Sequence, residues 1–137
     1  MEAASPARLY AALAGALLLV LGVVGFFYDA SFGPLDAYEE ALGALQVNGW
    51  LNFLYVTTGA IGVLVAGASS RGYALAVGAL YIVLAIVGWG SEGLNLLVGV
   101  LGLAAAAGTK RGSNVDLGTT RDPRNSKPRA KPARQRP

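Results

Sequence analysis

Long apolar runs alternate with short polar breaks from residue 8 to residue 108, and then the character changes abruptly. Four runs approach the roughly 20 residues that a helix needs to cross a hydrocarbon core of about 30 Å. They cover about 8–28, 49–68, 72–90 and 91–108. The backbone of a chain in lipid must satisfy its own hydrogen bonds, and these runs are too long and too evenly apolar for barrel strands, so each predicts an α-helix. The expected fold is all-α: a polytopic membrane domain over 1–108 with four transmembrane helices in two tandem helical hairpins. Arg8 precedes the first run as in a secretory signal, but the apolar stretch exceeds the usual core and no small-residue cleavage motif follows. A retained helix is therefore expected.

Between the first two runs lies a 29–48 segment with a pattern of its own. Leu35, Tyr38, Leu42 and Leu45 recur at helical spacing, and Asp36 and Glu39 stand as an Asp variant of the capping box. These features predict a short amphipathic helix on the bundle's outer surface.

Composition strengthens the membrane reading. Of 137 residues, 54% are hydrophobic and 14% charged, with a mean hydropathy of +0.50, against about a quarter charged in soluble domains. No Cys and no His occur, which excludes disulfides, thiol nucleophiles, imidazole or thiolate metal sites and His-based acid/base chemistry. No cofactor is expected, and no enzyme.

With four spans, all eleven Lys and Arg residues fall on one side. The other side carries Asp29, Asp36, Glu39, Glu40 and Glu92 without a basic residue. Excess Lys and Arg mark the cytoplasmic face, so both termini are expected on the cytoplasmic side of a cell membrane, with 29–48 outside. Phe26, Phe27, Tyr28, Trp50 and Trp89 gather at the expected outer boundary, where amphipathic rings settle.

The runs also repeat. Setting Arg8 over Arg71 aligns Tyr10 with Tyr73, Gly15 with Gly78 and Gly25 with Gly88 without a gap. The second runs align Asn52 with Glu92, Tyr55 with Asn95, Gly59 with Gly99 and Gly62 with Gly102. Two hairpins of like direction follow, related by an axis along the membrane normal if they pack symmetrically.

This two-helix unit, with two polar residues three positions apart and then two glycines, resembles the small four-helix bacterial membrane proteins grouped as domain-of-unknown-function family 4383, mainly actinobacterial. The resemblance covers about residues 8–108. The family pattern opens the second helix with Asn-x-x-His; Asn52 matches, and Tyr55 stands at the His position. The resemblance implies no known activity.

Asn52, Tyr55, Gly59 and Gly62, and likewise Glu92, Asn95, Gly99 and Gly102, are spaced 3, 4 and 3 apart, which keeps each set on one helix face. The favoured reading is a helix-packing seam, because small residues let helices approach closely in lipid and polar ones bond across the contact. The alternative is an outward-facing polar pocket for an ion, proton or small ligand in a transporter or channel component. A catalytic pair is disfavoured because the face holds one carboxylate and no second acid. Gly/Ala faces also suit a homo-oligomer or a membrane-protein partner.

Residues 109–137 carry four prolines and nine basic residues against Asp116 and Asp122. A disordered basic cytoplasmic tail is expected, with anionic lipid headgroups as its natural partner. Nucleic acid is disfavoured, because no aromatic residues are interleaved for base stacking.

Overall fold

The structure, a computed structural model, describes residues 3–110. From residue 111 onward, the tail expected over 109–137 lies outside the described residues. Four helices and one small hairpin make up the rest: α1 Pro6–Tyr28, β1 Glu39–Ala41, β2 Leu45–Val47, α2 Gly49–Val65, α3 Ser70–Val87 and α4 Glu92–Gly108.

Each boundary has a local cause. The Ser5 hydroxyl caps α1 by accepting from the Arg8 amide, and Pro6 occupies the first turn, where its missing N–H costs nothing. Asn48 caps α2: its side-chain carbonyl accepts from the Leu51 amide at 2.8 Å, while its amide group donates to the carbonyls of Leu35 and Ala37. Gly88 ends α3 in the left-handed conformation at φ 69°, which its missing side chain makes inexpensive. Thr109, just past α4, accepts from the Ala7 amide at 2.9 Å and so ties the end of α4 to the start of α1.

α1 lies against α2, and α3 against α4, as two helical hairpins; α1 also touches both α3 and α4. α1 and α3 are long and apolar enough to cross a membrane, while α2 and α4 are equally apolar in character but 17 residues each. The interior is mostly apolar with a few buried polar side chains, and the exterior carries many large apolar ones. Asn52 and Asn95 are fully buried, whereas Phe27, Leu64 and Ile86 are 85%, 81% and 79% exposed.

The 29–48 segment corrects the sequence expectation. No amphipathic helix forms there; β1 and β2 pair antiparallel, with Glu40 opposite Gln46 and Ala41 opposite Leu45. Helical spacing of Leu35, Tyr38, Leu42 and Leu45 was a coincidence of positions. Leu42 and Gly43 both have positive φ, 53° and 77°, in a turn closed by the Ala44 amide on the Ala41 carbonyl. Two adjacent left-handed residues suit a hairpin turn and cannot lie in an α-helix. Leu35 and Leu42 stay exposed, while Ala41 and Val47 bury the inner face.

This hairpin is pinned across the bundle. Trp89 donates from its ring nitrogen to the Leu35 carbonyl at 2.8 Å, and the Gln46 amide donates to the Ser91 hydroxyl at 2.8 Å. On the other flank Trp50 donates to the Gly33 carbonyl and packs edge-on against Phe32, ring centroids 5.1 Å apart. An insertion within the first hairpin thus covers the α3–α4 turn of the second.

Candidate functional site

The glycine positions determine how closely the helices meet. A Cβ added to Gly15 of α1 would lie 2.9 Å from the Gly59 carbonyl oxygen and from the Val63 nitrogen, and 3.0 Å from the Gly62 carbonyl carbon. A Cβ added to Gly78 of α3 would meet the Leu103 nitrogen at 2.9 Å and Gly102 carbonyl carbon and Gly99 carbonyl oxygen at 3.1 Å. These are the same atoms at aligned positions. Gly59 in turn faces Leu19, and Gly99 faces Ile82, the residue aligned with Leu19. Backbone against backbone leaves no room for side chains, which is the close approach that small residues permit in lipid.

Around this seam lie tyrosines that neither hairpin keeps to itself. Tyr10, on α1, donates its hydroxyl to the Val98 carbonyl of α4 at 2.8 Å. Tyr73, on α3, donates to the Thr58 carbonyl of α2 at 2.8 Å. Donors and acceptors are aligned positions, so each hairpin lends a phenol to the other's second helix. The two rings meet at 6.2 Å between centroids, tilted by 45°. Gly62 and Gly102 make the contact feasible, since a Cβ on either would collide with the incoming hydroxyl.

Tyr81 extends the polar interior. Its hydroxyl lies 2.9 Å from the Thr58 hydroxyl, whose proton goes to the Leu54 carbonyl at 2.8 Å, so Tyr81 is the donor. Tyr55 stacks on Tyr81 with centroids 6.2 Å apart.

Apart from Tyr55, the residues singled out from sequence divide into three groups. Gly59, Gly62, Gly99 and Gly102 lie in the seams. Asn52 and Asn95 are the fourth residues of α2 and α4, and each donates its amide to a carbonyl at the end of the preceding helix: Asn52 to Asp29 at 2.8 Å, Asn95 to Trp89 at 2.7 Å. Each amide thus serves its own hairpin. Asp29 itself has an exposed carboxylate, held below its ordinary pKa by hydrogen bonds from Ser31, side chain first and then backbone. Glu92 is the exception. It occupies the first turn of α4 and is exposed, so the spacing that suggested a shared face with Asn95 does not bring it into the interior.

Three oxygens of this set have no partner although buried: the side-chain carbonyls of Asn52 and Asn95 and the hydroxyl of Tyr55. Tyr55 approaches the α3–α4 turn, its hydroxyl 3.5 Å from where a Cβ on Gly90 would sit. Tyr38 of the 29–48 segment reaches the same turn, 3.4 Å from the Gly90 amide. Between the β-hairpin and this turn opens a cleft of about 640 Å³, with Tyr38, Gln46, Gly90, Ser91 and Glu92 among its walls. Among the described residues no group of His, Cys, Asp and Glu gathers as a metal site.

Residues 8–95 match the model of the family described as Domain of unknown function (DUF4383). The chain belongs to that family. No curated protein and no solved structure matches it. Membership of the DUF4383 family brings no assigned chemistry, and the match runs through α1, α2, α3 and the first turn of α4, including both amide positions.

Sequence reasoning missed Tyr81 and Thr58. The Thr58 hydroxyl serves both its own helix, through Leu54, and the other hairpin, through Tyr81. Tyr10 and Tyr73 had a signal: two matched phenols inside apolar runs, whose hydroxyls need partners wherever water is absent.

Proposed function

We propose that this DUF4383 protein is a structural or interaction protein of the cytoplasmic membrane, with all four helices crossing and both termini cytoplasmic. One observation carries the four-span reading. The Gln46–Ser91 and Trp89–Leu35 hydrogen bonds join the 29–48 segment to the α3–α4 turn, and the Ala7–Thr109 bond joins the opposite end. If only α1 and α3 crossed, the segment after α1 and the turn after α3 would face opposite sides of the bilayer, and those bonds could not form. At 1.5 Å per residue, 17 residues span about 26 Å, within reach of a hydrocarbon core. Large exposed apolar side chains on every helix support lipid as the surrounding solvent. The one-sided distribution of Lys and Arg supports the orientation.

The matched glycine and tyrosine contacts support an internal repeat, two hairpins about a pseudo-two-fold axis along the membrane normal. In this reading Asn52 and Gly59 are packing elements of the first hairpin. Residues kept for chemistry tend to cost stability, and their replacement leaves it equal or higher. Residues kept for packing behave oppositely. Asn52→Leu in the full chain is therefore expected to lower unfolding stability in detergent by about 0.6 to 2 kcal/mol, the range for a polar contact between membrane helices. A stability equal to or above the wild type would contradict the packing role.

A second reading, an outward-facing polar site, is favoured by the buried, unpartnered oxygens of Asn95 and Tyr55 beside the cleft.

A further inference from the structure

The α3–α4 turn is a point of convergence. Asn95 reaches it from below, its amide donating to the Trp89 carbonyl, which leaves its own carbonyl oxygen free and fully buried. Tyr55, 1% exposed, brings an unpartnered hydroxyl to Gly90. Tyr38 adds a third oxygen at the Gly90 amide and also lines the cleft. Buried polar atoms ordinarily find partners, so two orphans at one turn point to an occupant.

The chemistry of that occupant can be argued from what is present. The unpartnered atom of Asn95 is its carbonyl oxygen, an acceptor, while its amide nitrogen donates to Trp89, and phenol oxygens can accept as well. Glu92 lines the cleft, Glu39 and Glu40 line an adjoining pocket that shares Tyr38 and Gln46 with it, and no Lys or Arg occurs between Arg8 and Arg71 or between Arg71 and Lys110. A cleft lined by one sign of charge concentrates the opposite ion. The N-terminus of α4 opposes this with its positive dipole end, and Glu92 in its first turn offsets that field. The buried oxygens are neutral and no carboxylate is among them. Divalent ions ask for carboxylates and six or more oxygens, whereas a single positive charge can be held by a few neutral dipoles.

We infer that the Asn95 carbonyl oxygen and the Tyr55 hydroxyl form a binding site for a small monovalent cation, entered from the cleft beneath the β-hairpin. This rests on the second reading above and names its ligand class. Tyr38 closes the site from the hairpin side, and the rim carboxylates supply attraction without contact.

The full chain in nanodiscs, titrated with radiolabelled sodium, rubidium and methylammonium, tests the site, with acetamide as an uncharged comparator. Saturable binding of at least one cation is expected, weakened about tenfold or more in Tyr55→Phe, which keeps the ring against Tyr81 and removes only the oxygen. Asn95→Leu is expected to lose binding too, and Tyr55→Phe keeps the test valid should Asn95→Leu fail to fold. Glu92→Gln is expected to weaken binding by a smaller factor that vanishes at high ionic strength. Cation binding lost with the rim carboxylates but unchanged in Tyr55→Phe would overturn the inference in favour of surface ion condensation. Tyr55-sensitive binding of acetamide without any cation would overturn the ligand class and leave the polar site standing. Absence of Tyr55-sensitive binding by every probe would remove both.

Discussion

Replacing Gly15 or Gly78 with leucine is expected to force apart the helices of its hairpin and to cost the protein its fold in detergent. Even alanine should be felt. Its Cβ would sit 2.9 Å from backbone atoms of the facing helix at either position, and backbone cannot swing aside as a flexible side chain does. Overpacking of that kind costs about 1 to 3 kcal/mol, set against roughly 1 kcal/mol of helix propensity that alanine gains over glycine. Gly72 supplies the control, because it lies in α3 with nothing within 4 Å of an added Cβ. Gly72→Ala should leave stability unchanged or raise it by about 0.5 to 1 kcal/mol. The two seam variants should resemble each other, since each glycine meets aligned atoms of its partner helix. Unfolding measured for the three alanine variants decides the matter; seam variants that track Gly72→Ala would mean that the helices do not touch there.

Tyr10→Phe and Tyr73→Phe are expected to lower stability by similar amounts, about 0.6 to 2 kcal/mol each. Their acceptors, the Val98 and Thr58 carbonyls, lie inside helices and retain helical partners, so the loss should fall toward the lower end of that range. The bonds join hairpin to hairpin, and the variants should weaken that association more than either hairpin. Gly62→Ala should remove the Tyr73 bond by occupying the space of its hydroxyl. A double-mutant cycle between Gly62→Ala and Tyr73→Phe should therefore be strongly non-additive, whereas Gly62→Ala with Tyr10→Phe should come closer to additive. Additivity in the first cycle would mean that the hydroxyl does not reach across.

Much of the helical architecture was legible because long apolar runs become helices, and glycines in register become contacts. Tyr10 aligns with Tyr73, and the two hydroxyls bond to carbonyls at aligned positions, Val98 and Thr58. Other features depend on chain geometry that spacing does not encode. The 29–48 segment had the periodicity of a helix, yet two left-handed residues at Leu42 and Gly43 turned it into a hairpin. Glu92 shares a helical face with Asn95 by angle, but one turn along the axis separates the exposed mouth from the buried interior. The partner of Asn95 is a carbonyl presented by the turn between Gly88 and Gly90, both left-handed, and only the folded turn brings it within 2.7 Å. Tyr81 and Thr58 come from different hairpins, and their meeting is a property of the assembled bundle.

The four-span arrangement is tested most directly by accessibility in intact cells. The chain has no cysteine, so single substitutions report cleanly. Ala44, at the tip of the β-hairpin, and Ser69, between α2 and α3, are both exposed and lie at opposite ends of the bundle. With a membrane-impermeant maleimide, Ala44→Cys should label from outside the cell, and Ser69→Cys only after the membrane is broken. Labelling of both from outside, or of Ser69→Cys alone, would contradict the account.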